Sequence, residues 1–302
     1  MNLIAIRHRV AKGAAKWAPT GVYSTLVGWG ARTPVPKALR RALLGAFARF
    51  VGADVAEAEL GLDHYASVGD FFARRLRTGA RAVAASSDAV IAPCDGAVAA
   101  AGRIEDGTLL QAKGRSFSLA ALLADEAAAA ALLGGSYAVI YLSPRDYHRV
   151  HTPVDAELTA YDYLPGSRRP VSPRWSERVP GLLARNERVA MHLVTEAGPA
   201  AVVMVAAAGV GNIWLSHLHN GEAGAQNGHA GGDTRRFRGD GEHRRIDLAP
   251  PAALARGDEL GAFLLGSTVV LVLPPGSRID LAAGDSVRFG QRIGGLDEGQ
   301  GA

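Results

Sequence analysis

Along the 302-residue chain the pattern of apolar positions changes character once. Up to about residue 85 apolar side chains recur at helical spacing. From Lys37 onward, Leu39, Leu43, Phe47 and Phe50 gather on one side of a helix, Lys37, Arg41 and Arg49 lie elsewhere, and Arg40 stands at the edge. Thr33-Pro34-Val35-Pro36 separates this helix from the segment before it, and "VGDFFARRL" (68–76) predicts a second, short amphipathic helix. From Ala89 the chain breaks into short apolar runs between glycines and prolines: "AVIAPCDGAVAAAGRI", "SYAVIYLS", "RVAMHLV", "AAVVMVAAAGVG" and "STVVLVLPPGS". Such runs predict short, mostly antiparallel strands. The alanine- and leucine-rich stretch Leu119 to Leu133 predicts one helix among them, and glycine and charge between Asn220 and Arg245 predict an exposed loop. The expected fold is α+β, with N-terminal amphipathic helices over residues 1–65 and a β-rich domain over 66–302.

Composition adds limits. A hydrophobic content of 48% supports a substantial core. The single cysteine, Cys94, excludes an intrachain disulfide and a thiolate zinc cluster, so a reducing compartment is expected. The formal charge of +4 is unevenly spread: nine basic and no acidic residues fall in the first 50, which leaves the remainder net acidic. Trp17, Tyr23, Leu26 and Trp29 are interleaved with those charges. This mixture suits a helix lying on anionic lipid, although a basic helix packed on its own domain has the same pattern. A secretory signal fits poorly, because no compact apolar stretch follows Arg7 and Arg9. The uncharged runs 197–216 and 260–275 are interrupted by glycine and read as buried strands, so the chain is expected to lie on a membrane without crossing it.

Candidate chemistry is densest in "YLSPRDYHRVHTPVDAEL" (141–158). Ser143 is a good N-cap, Pro144 fits the first helical position, Asp146 stands in capping-box register, and Pro153 ends the run, which predicts a short helical turn. On that turn His148 and His151 would share a face; on a strand they would not. They lack a ligand set for a metal, and none is expected. His217, His219, His229 and His243 invite a metal hypothesis, but an exposed loop is the simpler reading. Asp95, in "APCDGAV", reads in isolation as turn chemistry. In company it matters more, because Asp95, His151 and Ser267 supply the acid, imidazole and hydroxyl that can activate a serine. Ser267 itself, in "LGSTVVLV", interrupts what otherwise reads as a buried strand. It marks either a bend in a sheet or a reactive group.

These segments together resemble the bacterial membrane-associated, pyruvoyl-dependent phosphatidylserine decarboxylases. The resemblance rests on "YLSPRDYHRVHTP" (141–153), "LLARNERV" (182–189), "APCDGAV" (92–98), "LQAKGRSFSLAALL" (110–123) and "GDELGAFLLGSTVV" (257–270), with weaker likeness at "GWGA" (28–31) and "FFARRLR" (71–77). It implies a carbon–carbon lyase made as a zymogen that cuts itself between Gly266 and Ser267 into chains 1–266 and 267–302. In this scheme the Ser267 hydroxyl attacks the Gly266 carbonyl, and elimination from the resulting ester and loss of ammonia leave a pyruvoyl group. The resemblance assigns His151 to accept the serine proton, Asp95 to orient that imidazole and His148 to decarboxylation. The pyruvoyl cofactor would form a Schiff base with phosphatidylserine, release carbon dioxide and yield phosphatidylethanolamine, a step of phospholipid biosynthesis. The implied partners are phosphatidylserine in an anionic bilayer, the two chains of its own processing and a second copy in a homodimer. The implied location is peripheral, on the cytoplasmic face of the cell membrane.

One stretch departs from the family pattern. Arg168-Arg169-Pro170-Val171-Ser172 stands where relatives carry a Phe-Ser-Val-Asn-like run, leaving Ser167 or Ser172 as the available hydroxyls. Two other classes remain for comparison. A serine hydrolase could use the same three residues but lacks the G-x-S-x-G elbow. A nucleic-acid binder could use the basic N-terminus, but no recognition motif accompanies it, so no nucleic-acid partner is expected.

Overall fold

The computed structural model describes residues 29–112, 115–176, 178–207, 213–218, 232–234, 241–264 and 267–296. The predicted segment before Trp29 therefore lies outside the described residues. In chain order the elements are α1 (Lys37–Val51), α2 (Val68–Phe72), β1 (Ala89–Ile91), β2 (Gly96–Arg103), β3 (Thr108–Ala112), β4 (Arg115–Ser118), α3 (Leu119–Leu123) and α4 (Glu126–Ala131). Next come β5 (Ser136–Leu142), β6 (Arg149–His151), β7 (Ala156–Leu164), α5 (Pro173–Ser176), α6 (Leu182–Arg185), β8 (Arg188–Thr195), β9 (Gly198–Ala206) and β10 (Ile213–Leu215). The last are β11 (Gly232–Asp233), β12 (Arg244–Leu254), β13 (Glu259–Phe263), β14 (Ser267–Val272), β15 (Arg278–Ile279), β16 (Ser286–Val287) and β17 (Arg292–Gly295). An antiparallel eight-stranded sheet, ordered β12-β7-β8-β9-β14-β5-β2-β16, forms the frame. The α+β class and the β-rich region follow the sequence pattern.

Two apolar layers cover this sheet, and strand parity decides which residue enters which. On one face Val269 and Leu271 of β14 pack with Val150 of β6, Ile213 of β10 and Phe263 of β13. On the other, Val270 and Val272 pack with Leu119, Leu122 and Leu123 of α3 and Leu182 and Leu183 of α6. By the same alternation Ser267 shares the face of Val269 and Leu271, toward the four-stranded sheet β11-β10-β13-β6.

Three local differences from the sequence reading have physical causes. The Leu119–Leu133 stretch is two helices, because Ala124 adopts φ 54° and the Asp125 side chain caps the second by accepting from Ala128 N. In α1 the buried face is Leu44, Gly45 and Ala48, with Phe47 partly buried, while Leu39, Leu43 and Phe50 remain exposed. The described part of the 220–245 segment includes β11 and the start of β12, so it is not wholly loop. The α1 helix stops at Gly52, whose φ of 81° closes the end through its N–H on Ala48 O.

Candidate active site

Ser267 opens β14 in the middle of the large sheet. Its register partners are Leu142 of β5 and Ala206 of β9, and all three face the same apolar layer. The serine is fully buried, and its hydroxyl meets no hydrogen-bond partner among the described residues. Gly266 lies outside the described residues. Four positions ahead of Ser267, Phe263 N donates to His148 O. The chain on either side of the 264–266 connection is thus held against a single stretch, Leu142 to His148.

That stretch begins as a turn, not the predicted helical one. Ser143 N and Oγ both donate to Asp146 Oδ2, and Asp146 N closes back on Ser143 O. After it the chain becomes extended, because Arg149 to His151 pair with β13. His148 and His151 consequently do not share a helical face. The His148 ring lies on Phe72 at a centroid distance of 3.9 Å, whereas the His151 ring stacks on Phe289 at 3.8 Å.

Hydrogen bonds fix both tautomers. His148 Nδ1 donates to Asp146 O at 2.8 Å, which leaves Nε2 as an acceptor, buried and without a partner among the described residues. His151 Nδ1 donates to Gly257 O at 2.8 Å, and its Nε2 accepts from the Tyr147 hydroxyl at 2.9 Å. Burial lowers the pKa of each ring to about 3, with Arg74 adding to the effect at His148 and Arg149 and Arg75 at His151. Both imidazoles are therefore neutral near pH 7, the form that can accept a proton. Burial also raises the Tyr147 pKa, so its hydroxyl stays protonated.

Asp95 occupies the turn between β1 and β2. The next residue must be small: a Cβ on Gly96 would stand 2.6 Å from Tyr141 O, too close for β2 to pair with β5. Asp95, which the resemblance assigns to orient His151, makes no direct hydrogen bond to it. Both ring nitrogens of His151 are occupied, and the carboxylate accepts from Arg81 at 2.8 Å and from Phe289 N at 2.8 Å. Its link to His151 runs through Phe289, whose amide it holds and whose ring covers the imidazole.

Sequence reasoning passed over several of these partners. Arg81 joins Asp95 to Glu57, donating to both Glu57 oxygens at 2.7 and 2.9 Å and thereby lowering the pKa of that carboxyl. Asn186, within the quoted "LLARNERV", donates to Arg169 O and to Ala206 O, and its Oδ1 accepts from Ser167 Oγ. It ties the departing stretch 167–169 to the neighbour of Ser267. Of the loop histidines, His219 and His229 lie outside the described residues, and His243 instead joins His192 and Arg245 on the buried Asp162 carboxylate.

Residues 68–295 match the family described as phosphatidylserine decarboxylase. The chain belongs to the phosphatidylserine decarboxylase family. It is 41% identical over 290 residues to the phosphatidylserine decarboxylase proenzyme of Anaeromyxobacter sp. (strain K), covering 95% of this chain and 98% of that one. It is 38% identical over 284 residues to the proenzyme of Myxococcus xanthus (strain DK1622), covering 91% and 94%. Asp95, His148, His151 and Ser267 all fall inside the stretch that matches the phosphatidylserine decarboxylase family.

Proposed function

We propose that this chain is a phosphatidylserine decarboxylase that forms its own pyruvoyl group from Ser267. The observation that carries the reading is the state of that serine: a buried hydroxyl without a partner among the described residues, at the head of a central strand, facing the layer that contains β6 and its neutral His151. A hydroxyl so placed is not stabilising β14, since a buried polar group left unpaired costs about 1–3 kcal/mol.

Its chemistry is self-cleavage. Ser267 Oγ attacks the Gly266 carbonyl carbon, a C–O ester bond replaces the C–N bond, and the proton leaving the hydroxyl ends on the freed nitrogen. Loss of the Cα proton then expels the Gly266 carboxylate from Cβ, and water displaces ammonia to leave a ketone at the head of 267–302. His151 Nε2 is the proton acceptor once the Tyr147 hydroxyl yields it, and Gly257 O sets the orientation of the ring through Nδ1. Asp95 and Arg81 stiffen the Phe289 wall behind it. The apolar layer excludes the water that would divert the ester to simple hydrolysis. The finished pyruvoyl group supplies an electron sink for loss of the substrate carboxylate. His148, with a bare Nε2, moves the proton at the carbon that carbon dioxide leaves.

The phosphatidylserine substrate resides in a bilayer, and α1 suits attachment to its cytoplasmic face. Leu39, Leu43 and Phe50 are exposed on it, and Lys37, Arg41 and Arg49 are exposed elsewhere on the same helix. Each apolar side chain contributes about 1.5–3 kcal/mol when fully buried, and each basic residue about 1 kcal/mol at an anionic surface. Among the described residues no helix is long and apolar enough to cross a membrane.

Mass spectrometry of the active, purified protein tests the central reading. It is expected to give residues 1–266 and 267–302, the latter short of ammonia and starting with a ketone. Activity from one intact chain carrying an ordinary Ser267 would refute it. For the membrane part, Leu43→Asp combined with Phe50→Asp is expected to weaken binding to phosphatidylserine-containing vesicles at least tenfold in a flotation assay; unchanged flotation would remove α1 from the interface.

A further inference from the structure

Of the arginines around the two histidines, one has no carboxylate partner among the described residues. Arg75 and Arg149 take the two oxygens of Glu259. Arg81 takes Glu57 and Asp95. Arg74 is left: 3% exposed, it has no ion pair among the described residues, and its one described guanidinium hydrogen bond is a long one, from Nη2 to Arg145 O at 3.3 Å. Its Nε–H is buried and unpartnered among the same residues. Elsewhere in the fold a buried arginine without a carboxylate is handled differently. Arg188 spends its donors on Leu122 O and Ala121 O, each at 2.7 Å, at the open end of α3, and on Asn186 O at 3.1 Å. Arg74 has no such set of acceptors among the described residues, and a buried charge without a partner is costly.

The position of Arg74 indicates what should complete it. Arg145 O accepts from Arg74 and the adjacent Asp146 O accepts from His148, so consecutive carbonyls of one turn hold the guanidinium and the imidazole. Phe72, two residues earlier, lies on the His148 ring. On its other side the Arg74 guanidinium sits 5.0 Å from the centroid of Phe71, which meets Phe47 of α1 edge-on at 6.4 Å. Arg74 thus stands on the route between the exposed apolar face of α1 and the catalytic histidines.

Resting on the decarboxylase reading, we propose that Arg74 binds the phosphodiester of the phospholipid headgroup. A substrate carboxylate fits less well. Its charge disappears as carbon dioxide forms, and a buried guanidinium paired to it would hold the ground state back. The phosphodiester keeps its charge throughout, and only three bonds separate phosphorus from the carbon that loses carbon dioxide. A planar guanidinium also presents paired donors to phosphate oxygens. Burial lowers the Arg74 pKa, as expected of a cation whose counterion arrives with the substrate.

The test uses the processed full-length enzyme as wild type, Arg74→Gln and Arg74→Lys, with short-chain phosphatidylserine in micelles. Arg74→Gln is expected to be cut normally, raise KM at least tenfold and leave kcat within threefold, with Arg74→Lys in between. Glycerophosphoethanolamine, a phosphodiester, is expected to inhibit the wild type competitively and Arg74→Gln at least tenfold less, with inorganic phosphate weak on both. Inhibition by inorganic phosphate equal to that by the phosphodiester would make this a free-phosphate site and overturn the lipid assignment. So would a KM within twofold of wild type, or a loss confined to cutting in both variants. Should Arg74→Gln fail to fold, the wild-type competition and Arg74→Lys decide. Should the wild type not decarboxylate phosphatidylserine, the functional reading fails separately. Thermal stabilisation by glycerophosphoethanolamine, present in wild type and lost in the variants, then decides the role of Arg74.

Discussion

Ser267→Ala is expected to give a folded, uncut chain of 302 residues with no measurable decarboxylation. Folding survives because the lost hydroxyl has no partner among the described residues to strand, and alanine keeps the Cβ that faces the apolar layer. Removing an unpaired buried hydroxyl is neutral or mildly favourable. Chemistry does not survive, since the attacking oxygen, the leaving oxygen and the future ketone carbon all belong to one side chain. Denaturing electrophoresis and a carbon dioxide assay read the two effects together. Cutting or turnover by this variant would remove Ser267 from the mechanism.

The second large effect separates the histidines. His151→Ala is expected to slow self-cleavage by about 10²- to 10⁴-fold, the range for loss of a positioned general base. His148→Ala is expected to cut, and then to decarboxylate more slowly by a similar factor. The geometry explains why two rings so close in sequence diverge. His151 is an element of β6, bonded through both nitrogens and stacked on Phe289, whereas His148 stands before the strand with one nitrogen free against Phe72. A precursor time course and a steady-state assay on already cut protein distinguish the roles. A His148→Ala chain that stays uncut, beside a His151→Ala chain that cuts, would interchange them.

How far the site could be read from sequence depended on the range of the interactions. The run "STVVLV" announces β14, since it is apolar on both faces and bounded by glycine and proline, and the strand is buried throughout. The Asp-Gly pair announces the turn that carries Asp95. The helical turn after Ser143 failed because a non-local partner won: pairing with β13 draws Arg149 to His151 into extended form, and the capping residues close only a turn. How Asp95 reaches His151 was not legible for a related reason. Arg81 and the amide of Phe289, distant in sequence by 14 and 194 positions, reach the carboxylate first. That exchange also weakens the hydrolase alternative, which needs the acid on the imidazole. Tyr147 sits within the quoted motif, but nothing in its spacing revealed that its hydroxyl caps His151. In α1 the periodicity located the helix correctly but not which of its apolar residues would stay uncovered.

On the proposed mechanism, the place of β14 in the frame would set the working life of the catalyst. Its six residues are laced on one side to β5 and on the other to β9, so a break just ahead of Ser267 severs covalent continuity without loosening the strand. Under the proposed self-cleavage the nicked fragment would remain threaded through the middle of the protein and would leave only by dissolving the whole architecture. A prosthetic group born at that terminus would be neither exchanged nor replenished. Each molecule would mature once, and if its ketone were spent by a side reaction only new synthesis would restore the activity.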